Sequence, residues 1–170
     1  GFAVSPSLGD QPTKARMASL LSHPTQAPSL LFTGTHGMAF NADDPRQLEH
    51  QGALVCQDWP SYGDLTAEHW FCAQDVPEYA NIHGMIHFFF ACYGGGTPEH
   101  DNYTFTEPRK RIANAPTTAR LAQKLLSLPR GGALASLGHV DRAWASSFLS
   151  KRGIAQTQAF RDVIHRLMLG

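Results

Sequence analysis

A chain of 170 residues is about one domain, long enough to bury a core of its own. With 42% hydrophobic and 16% charged residues, it has the composition of a globular protein and not of a disordered one. Its 14 basic and 14 acidic side chains cancel, no basic run exceeds Arg109-Lys110-Arg111, and no stretch reaches the roughly 20 apolar residues of a membrane span, which argues against nucleic-acid and membrane partners.

The N-terminus, Gly1-Phe2-Ala3-Val4-Ser5-Pro6, lacks the charged start and long apolar region of a signal peptide, and it lacks an initiator Met. It therefore reads as a portion of a longer chain. A first helix is predicted over residues 12–22, with Pro12 suited to its first turn and Ala15, Ala18 and Leu21 at helical spacing. His23-Pro24 ends it. Residues 29–33 read as a short buried strand that stops at Gly34-Thr35-His36-Gly37. The polar segment 41–51 is expected to be a surface insert. Residues 52–56 suit one arm of a hairpin, Trp59-Pro60 and Tyr62-Gly63 mark a turn, and Thr66 opens a short helix through Glu68-His69-Trp70-Phe71. Residues 84–91 carry the strongest strand signal. Their apolarity is continuous, through Met85-Ile86 and Phe88-Phe89-Phe90, which predicts burial on both faces as in a parallel sheet. This strand runs into Cys92-Tyr93-Gly94-Gly95-Gly96. A second polar insert, 97–116, precedes an amphipathic helix over 117–128 with Leu121, Leu125 and Leu128 on one face. Pro129-Arg130-Gly131-Gly132 stops it. Residues 133–137 form a third buried strand, closed by Gly138-His139-Val140-Asp141. The last helix covers 157–169, with Phe160, Val163, Ile164 and Leu167 inward.

Three buried strands separated by helices and inserts predict an α/β fold with a mainly parallel sheet. Three strands are few, so further N-terminal strands are expected before residue 1. Chemistry in such a sheet gathers beyond the C-terminal ends of the strands, where His36, Cys92 and Asp141 all fall. A thiol attacks only as the thiolate, which needs a base and access. The glycines after Tyr93 would let the backbone pass close to a substrate and aim amides at an oxyanion, with Gly37 adding another. Taken singly, Cys92 reads equally well as a small buried hydrophobe and His36-Gly37 as a turn. Their pairing favours chemistry.

Other residues compete less well. His83 and His87 are four apart, but along a strand that is roughly 13 Å, too far for one ion. With no Cys-x-x-Cys and no His-Glu-x-x-His, no metal or other cofactor is expected. Cys56 and Cys72 lack a glycine-lined approach, and Asp58 either orients His36 or caps a turn. Ser136 lacks the first glycine of a nucleophile elbow, and Gly94-Gly95-Gly96 lacks the Lys-Ser or Lys-Thr of a phosphate loop. Three widely spaced cysteines form no disulfide framework, which points to a reducing cytoplasm.

Thr33-Gly34-Thr35-His36-Gly37, Phe88-Phe89-Phe90-Ala91-Cys92-Tyr93-Gly94-Gly95 and Ala133-Leu134-Ala135-Ser136-Leu137-Gly138-His139-Val140-Asp141 together resemble the caspase-like cysteine peptidases, closest to the bacterial gingipain-type and CHAT-domain branches. The histidine precedes the cysteine by about the 50 residues that separate the pair in caspases. The resemblance spans residues 29–148. It implies a three-layer αβα fold over residues 1–170, a Cys92–His36 dyad without a cofactor, and an oxyanion site at the amides of Gly37 and Cys92. The implied partner is a protein or peptide substrate, together with other domains of the same longer chain. By the same resemblance Asp141 lines a pocket for a basic substrate residue; read alone, it is equally a helix N-cap before Arg142-Ala143-Trp144. The relatives often carry Trp and a second acid where this chain has Gly138-His139. The competing reading is a catalytically silent caspase-like module used for protein interaction.

Overall fold

The computed structural model describes residues 3–23 and 27–169; Gly1-Phe2 and the expected helix stop at Pro24 lie outside the described residues. Thr13 starts the first helix, α1 (Lys14–Ser22), by accepting a hydrogen bond from the Arg16 amide at 3.1 Å, a side-chain cap that leaves Pro12 just outside the helix. The chain continues through β1 (Leu30–Gly34), α2 (Gln47–His50), β2 (Leu54–Val55) and β3 (Trp70–Phe71). It then forms β4 (Ile86–Phe90), β5 (Gly96–Thr97), β6 (Thr117–Thr118), α3 (Arg120–Leu126), β7 (Ala135–Gly138) and α4 (Gln158–Leu169). The result is an α/β protein whose central sheet has the order β1-β4-β7, with both pairings parallel.

The register puts Leu31, His87 and Ser136 in one row and Thr33 and Phe89 in the next, so all five face the same side. On that side α1 and α3 supply Met17, Leu21, Leu121 and Leu125, which close with Leu31 and Phe89 into one core. Each fully buried leucine or phenylalanine here contributes about 1.5–3 kcal/mol relative to exposure. The opposite side carries Phe32, Phe88, Phe90 and Leu137. There α4 brings the Phe160 ring against Phe88 at 6.3 Å and Phe90 at 5.4 Å.

Several expectations change. Continuous apolarity in β4 does not mean burial on both faces: His87 and Phe89 are buried, while Ile86, Phe88 and Phe90 are half-buried and Phe32 beside them is 46% exposed. No residue of α4 is buried, and Val163 and Leu167 are exposed. Residues 117–118 leave the expected helix and pair antiparallel with β5, so that α3 starts only at Arg120. Trp70-Phe71 are strand, not helix, paired antiparallel with Leu54-Val55 after a short 3₁₀ turn, which makes residues 52–56 the expected hairpin arm. Segment 41–51 is not wholly loop, since it contains α2. In α1, Met17 and Leu21 are buried and Ala18 packs against the core as expected, whereas Ala15 is on the solvent side.

Candidate active site

The ladder between β1 and β4 runs one step past the strands, where the Thr35 amide donates to the Phe90 carbonyl at 3.1 Å. That step delivers His36-Gly37 beside Ala91-Cys92. The approach is close enough that a Cβ on Gly37 would lie 1.9 Å from the Cys92 carbonyl oxygen. On its other side, Gly37 bridges Leu54 through its neighbours: Val55 N–H donates to the His36 carbonyl at 2.9 Å and Met38 N–H to the Ala53 carbonyl at 2.8 Å. In that pattern the Gly37 N–H itself points away from β2. Gly52, at φ +78, completes the seat, since a Cβ there would fall 2.2 Å from the Tyr93 carbonyl oxygen. The turn at Cys92-Tyr93 is thus clasped between two glycines. His36 is exposed and Cys92 half-buried.

The glycine run works differently from the expectation. The Gly94 amide donates to the Ala91 carbonyl at 3.3 Å and the Gly95 amide to the His139 carbonyl at 2.9 Å, so neither is free to hold an oxyanion. What requires glycine is packing. A Cβ on Gly94 would lie 2.9 Å from the Phe89 Cβ, and one on Gly95 would lie 2.6 Å from the Gly138 carbonyl oxygen. The run lets the chain turn tightly between β4 and the loop after β7, and the remaining amide beside the thiol is that of Cys92 itself.

Asp141 lies in that loop, and its backbone is tied to the same turn. The Tyr93 amide donates to the Asp141 carbonyl at 2.7 Å, and the Asp141 amide donates to the Gly96 carbonyl at 3.1 Å. Both bonded residues have left-handed backbones, Tyr93 at φ 59 and Asp141 at φ 74, a conformation that costs a non-glycine residue about 1–2 kcal/mol. Burial with the neighbouring Asp141 charge pushes the Tyr93 phenol up to about 12. The N-cap reading of Asp141 is not realised. No α-helix follows it directly, and its carboxylate, 1% exposed, accepts from the Asn102 amide at 3.4 Å and faces Arg142 Nε at 3.3 Å. Arg142 also hydrogen-bonds Asp101, a buried acid from segment 97–116. Burial pushes the Asp101 carboxyl up, but the amides of Tyr103 and Thr104 and the Arg142 guanidinium overcome it and hold it below its ordinary range. Two rings flank the guanidinium, Tyr103 at 5.2 Å and Trp144 at 5.5 Å. The next residue, Ala143, accepts a hydrogen bond from the Cys92 thiol at 3.7 Å.

Asp101, Arg142 and Gly52 were not read as site residues from the sequence. Asp101 stands in a polar segment with no motif, and only the chain fold brings it to Arg142. Gly52 carried a local signal in ending segment 41–51, but nothing local to pair it with Tyr93.

The competing residues fall elsewhere. Burial pushes the thiols of Cys56 and Cys72 up to about 11, and Cys72 also donates to Asp75 Oδ2 at 3.1 Å, so both are held as thiols. Asp58 caps the start of α1, accepting from the Lys14 amide at 2.7 Å, and does not orient His36. His87 is fully buried on β4, its Nε2 3.0 Å from Thr33 Oγ1 and its ring against Phe89, whereas His83 precedes the strand in a turn. Among the described residues no helix is long and apolar enough to cross a membrane. No family model matches this chain, and neither a curated protein nor a solved structure matches it.

Proposed function

We propose that the chain is a caspase-like cysteine endopeptidase domain, of three-layer αβα type, in which Cys92 is the nucleophile and His36 the proton carrier. The observation that carries this reading is the clasp of the Cys92 turn against His36-Gly37 at the C-terminal ends of two adjacent parallel strands. A nucleophile and a base delivered by neighbouring strand ends keep their positions through the backbone, without needing a bond between their side chains.

The chemistry follows from these groups. His36 takes the thiol proton, and the Cys92 sulfur attacks the carbonyl carbon of a peptide bond. The oxygen gains negative charge and is held by the N–H groups of Gly37 and Cys92, the first of which faces away from β2. The C–N bond breaks as the His36 imidazolium gives its proton to the departing amine, leaving a thioester. Water then loses a proton to His36 and adds to that carbonyl. The C–S bond breaks, and the thiolate recovers the proton. Asp141, with its buried carboxylate beside the thiol-bearing turn, selects a basic residue before the cleaved bond. The substrate is a protein or peptide, and the free thiols suit a reducing compartment.

One observation favours a silent interaction module instead: the Cys92 thiol is engaged by the Ala143 carbonyl. Labelling of the intact chain with an electrophilic probe separates the two. The peptidase reading expects modification at Cys92, lost in Cys92→Ala and slowed about 10²–10⁴-fold in His36→Ala, with cleavage of arginyl or lysyl peptides changing in parallel. Labelling indifferent to His36, with no cleavage of any library peptide, would leave the module.

A further inference from the structure

Arg142 fills a seat that is built for a guanidinium but fits this one imperfectly. Two buried carboxylates, Asp101 and Asp141, face it, and two aromatic rings flank it. Aromatic faces with an acid beside them are the surroundings in which a planar cation is held most strongly. Yet the pairing is uneven. Arg142 hydrogen-bonds Asp101, whereas its Nε approaches Asp141 Oδ1 at 3.3 Å without hydrogen-bond alignment, so that both atoms stay buried and unsatisfied. A buried carboxylate oxygen left in this state is under-satisfied, and a better-aligned donor would stabilise it further. The same loop also holds the thiol, through Ala143, and is anchored to the Cys92-Tyr93 turn by two residues in left-handed backbone.

We propose that Arg142 is an internal occupant of the basic-residue seat, and that Arg142-Ala143 form a latch that closes both this seat and the Cys92 thiol until an arginine side chain from outside displaces Arg142. The proposal rests on the peptidase reading for the identity of the displacing group, a basic substrate residue, and it adds Asp101 as the second acid that recognises it. Opening breaks no covalent bond. It exchanges one guanidinium for another at Asp101 and Asp141, withdraws Arg142 into solvent, and releases the Ala143 carbonyl from the thiol.

Two measurements on the folded chain test the latch without requiring catalysis. In the unmodified protein, arginine amide should accelerate alkylation of Cys92 by iodoacetamide in a saturable way, while the neutral isostere citrulline amide should not. Arg142→Gln should bind arginine amide about tenfold more tightly than the unmodified chain, read from Trp144 fluorescence, because the competing internal occupant is gone. Adding Asp101→Asn to that variant should abolish the gain. Alkylation indifferent to arginine amide in the unmodified chain, or equal affinity with and without Arg142 in folded variants, would overturn the latch. Should Arg142→Gln not fold, the alkylation of the unmodified chain decides alone. Failure of the peptidase reading has a different signature: arginine amide binds and speeds alkylation as expected, but no arginyl or lysyl peptide is cleaved even by Arg142→Gln.

Discussion

The alpha hydrogens of Gly37 are the smallest group on which the proposed site depends. With the Cys92 carbonyl 1.9 Å from where its Cβ would be, Gly37→Ala must push the ends of β1 and β4 apart. The obstructing atom is backbone, so no side chain can rotate out of the way. We expect Gly37→Ala to lose about 1–3 kcal/mol in urea unfolding and, more tellingly, to alter the rate of Cys92 alkylation. Gly34→Ala, three residues earlier, is the control. Its nearest neighbour is the Phe32 ring at 3.4 Å, an ordinary contact, and both measurements should stay close to those of the unmodified chain. A Gly37→Ala protein indistinguishable from this control would mean that the clasp is not a constraint. From the sequence, Gly37 reads as a turn residue and an oxyanion donor. The need for glycine there was invisible, because it comes from a backbone more than fifty positions away in the chain.

At the scale of elements, α4 shows how far periodicity can be trusted. Its apolar stripe was legible, and the helix forms where the stripe predicts it. A stripe, however, reports only that one face is apolar, not that something covers that face. Phe160 and Ile164 are half-buried, while Val163 and Leu167 remain exposed. The attachment of α4 to the sheet therefore depends heavily on the Phe160 ring between Phe88 and Phe90. Phe160→Ala should cost about 1–3 kcal/mol locally, seen as faster amide exchange over residues 158–169 with β4 still protected. An equal rise of exchange in β4 would instead make α4 an integral part of the core. Around the candidate site the strand ends were better predicted than the burial: β1, β4 and β7 each end at glycine-rich or polar punctuation that a strand cannot absorb, but β7, expected to be buried over 133–137, covers Ala135–Gly138 with no buried residue.

For the whole molecule, the three-stranded sheet puts a histidine where only a neutral one is tolerated. Burial pushes His87 down to about 3 from its ordinary 6.5, and its ring packs on Phe89 on the side of the sheet that α1 and α3 cover. The unfolded chain takes up a proton as pH falls through 6.5, whereas the native protein resists until about 3. The stability contributed by neutral His87 is therefore complete above 6.5 and is lost progressively down to about 3, on the order of a few kcal/mol in all. His87→Gln should flatten the fall of the urea midpoint across this window, and an unchanged slope would reject the assignment. The same sheet separates what the chain itself encodes from what folding adds. The sequence alone determined the α/β class, the strand ends that carry His36 and Cys92, and their order, because apolar runs and the glycines and prolines that interrupt them act over a few neighbouring residues. Only the tertiary structure decided that one side of the sheet is closed and the other half-covered. It alone decided that glycines serve close packing, and that Asp101, Asp141 and Arg142 meet beside the thiol. Those outcomes depend on contacts between residues far apart in the chain, where local pattern carries no information about which partner will arrive or from which side.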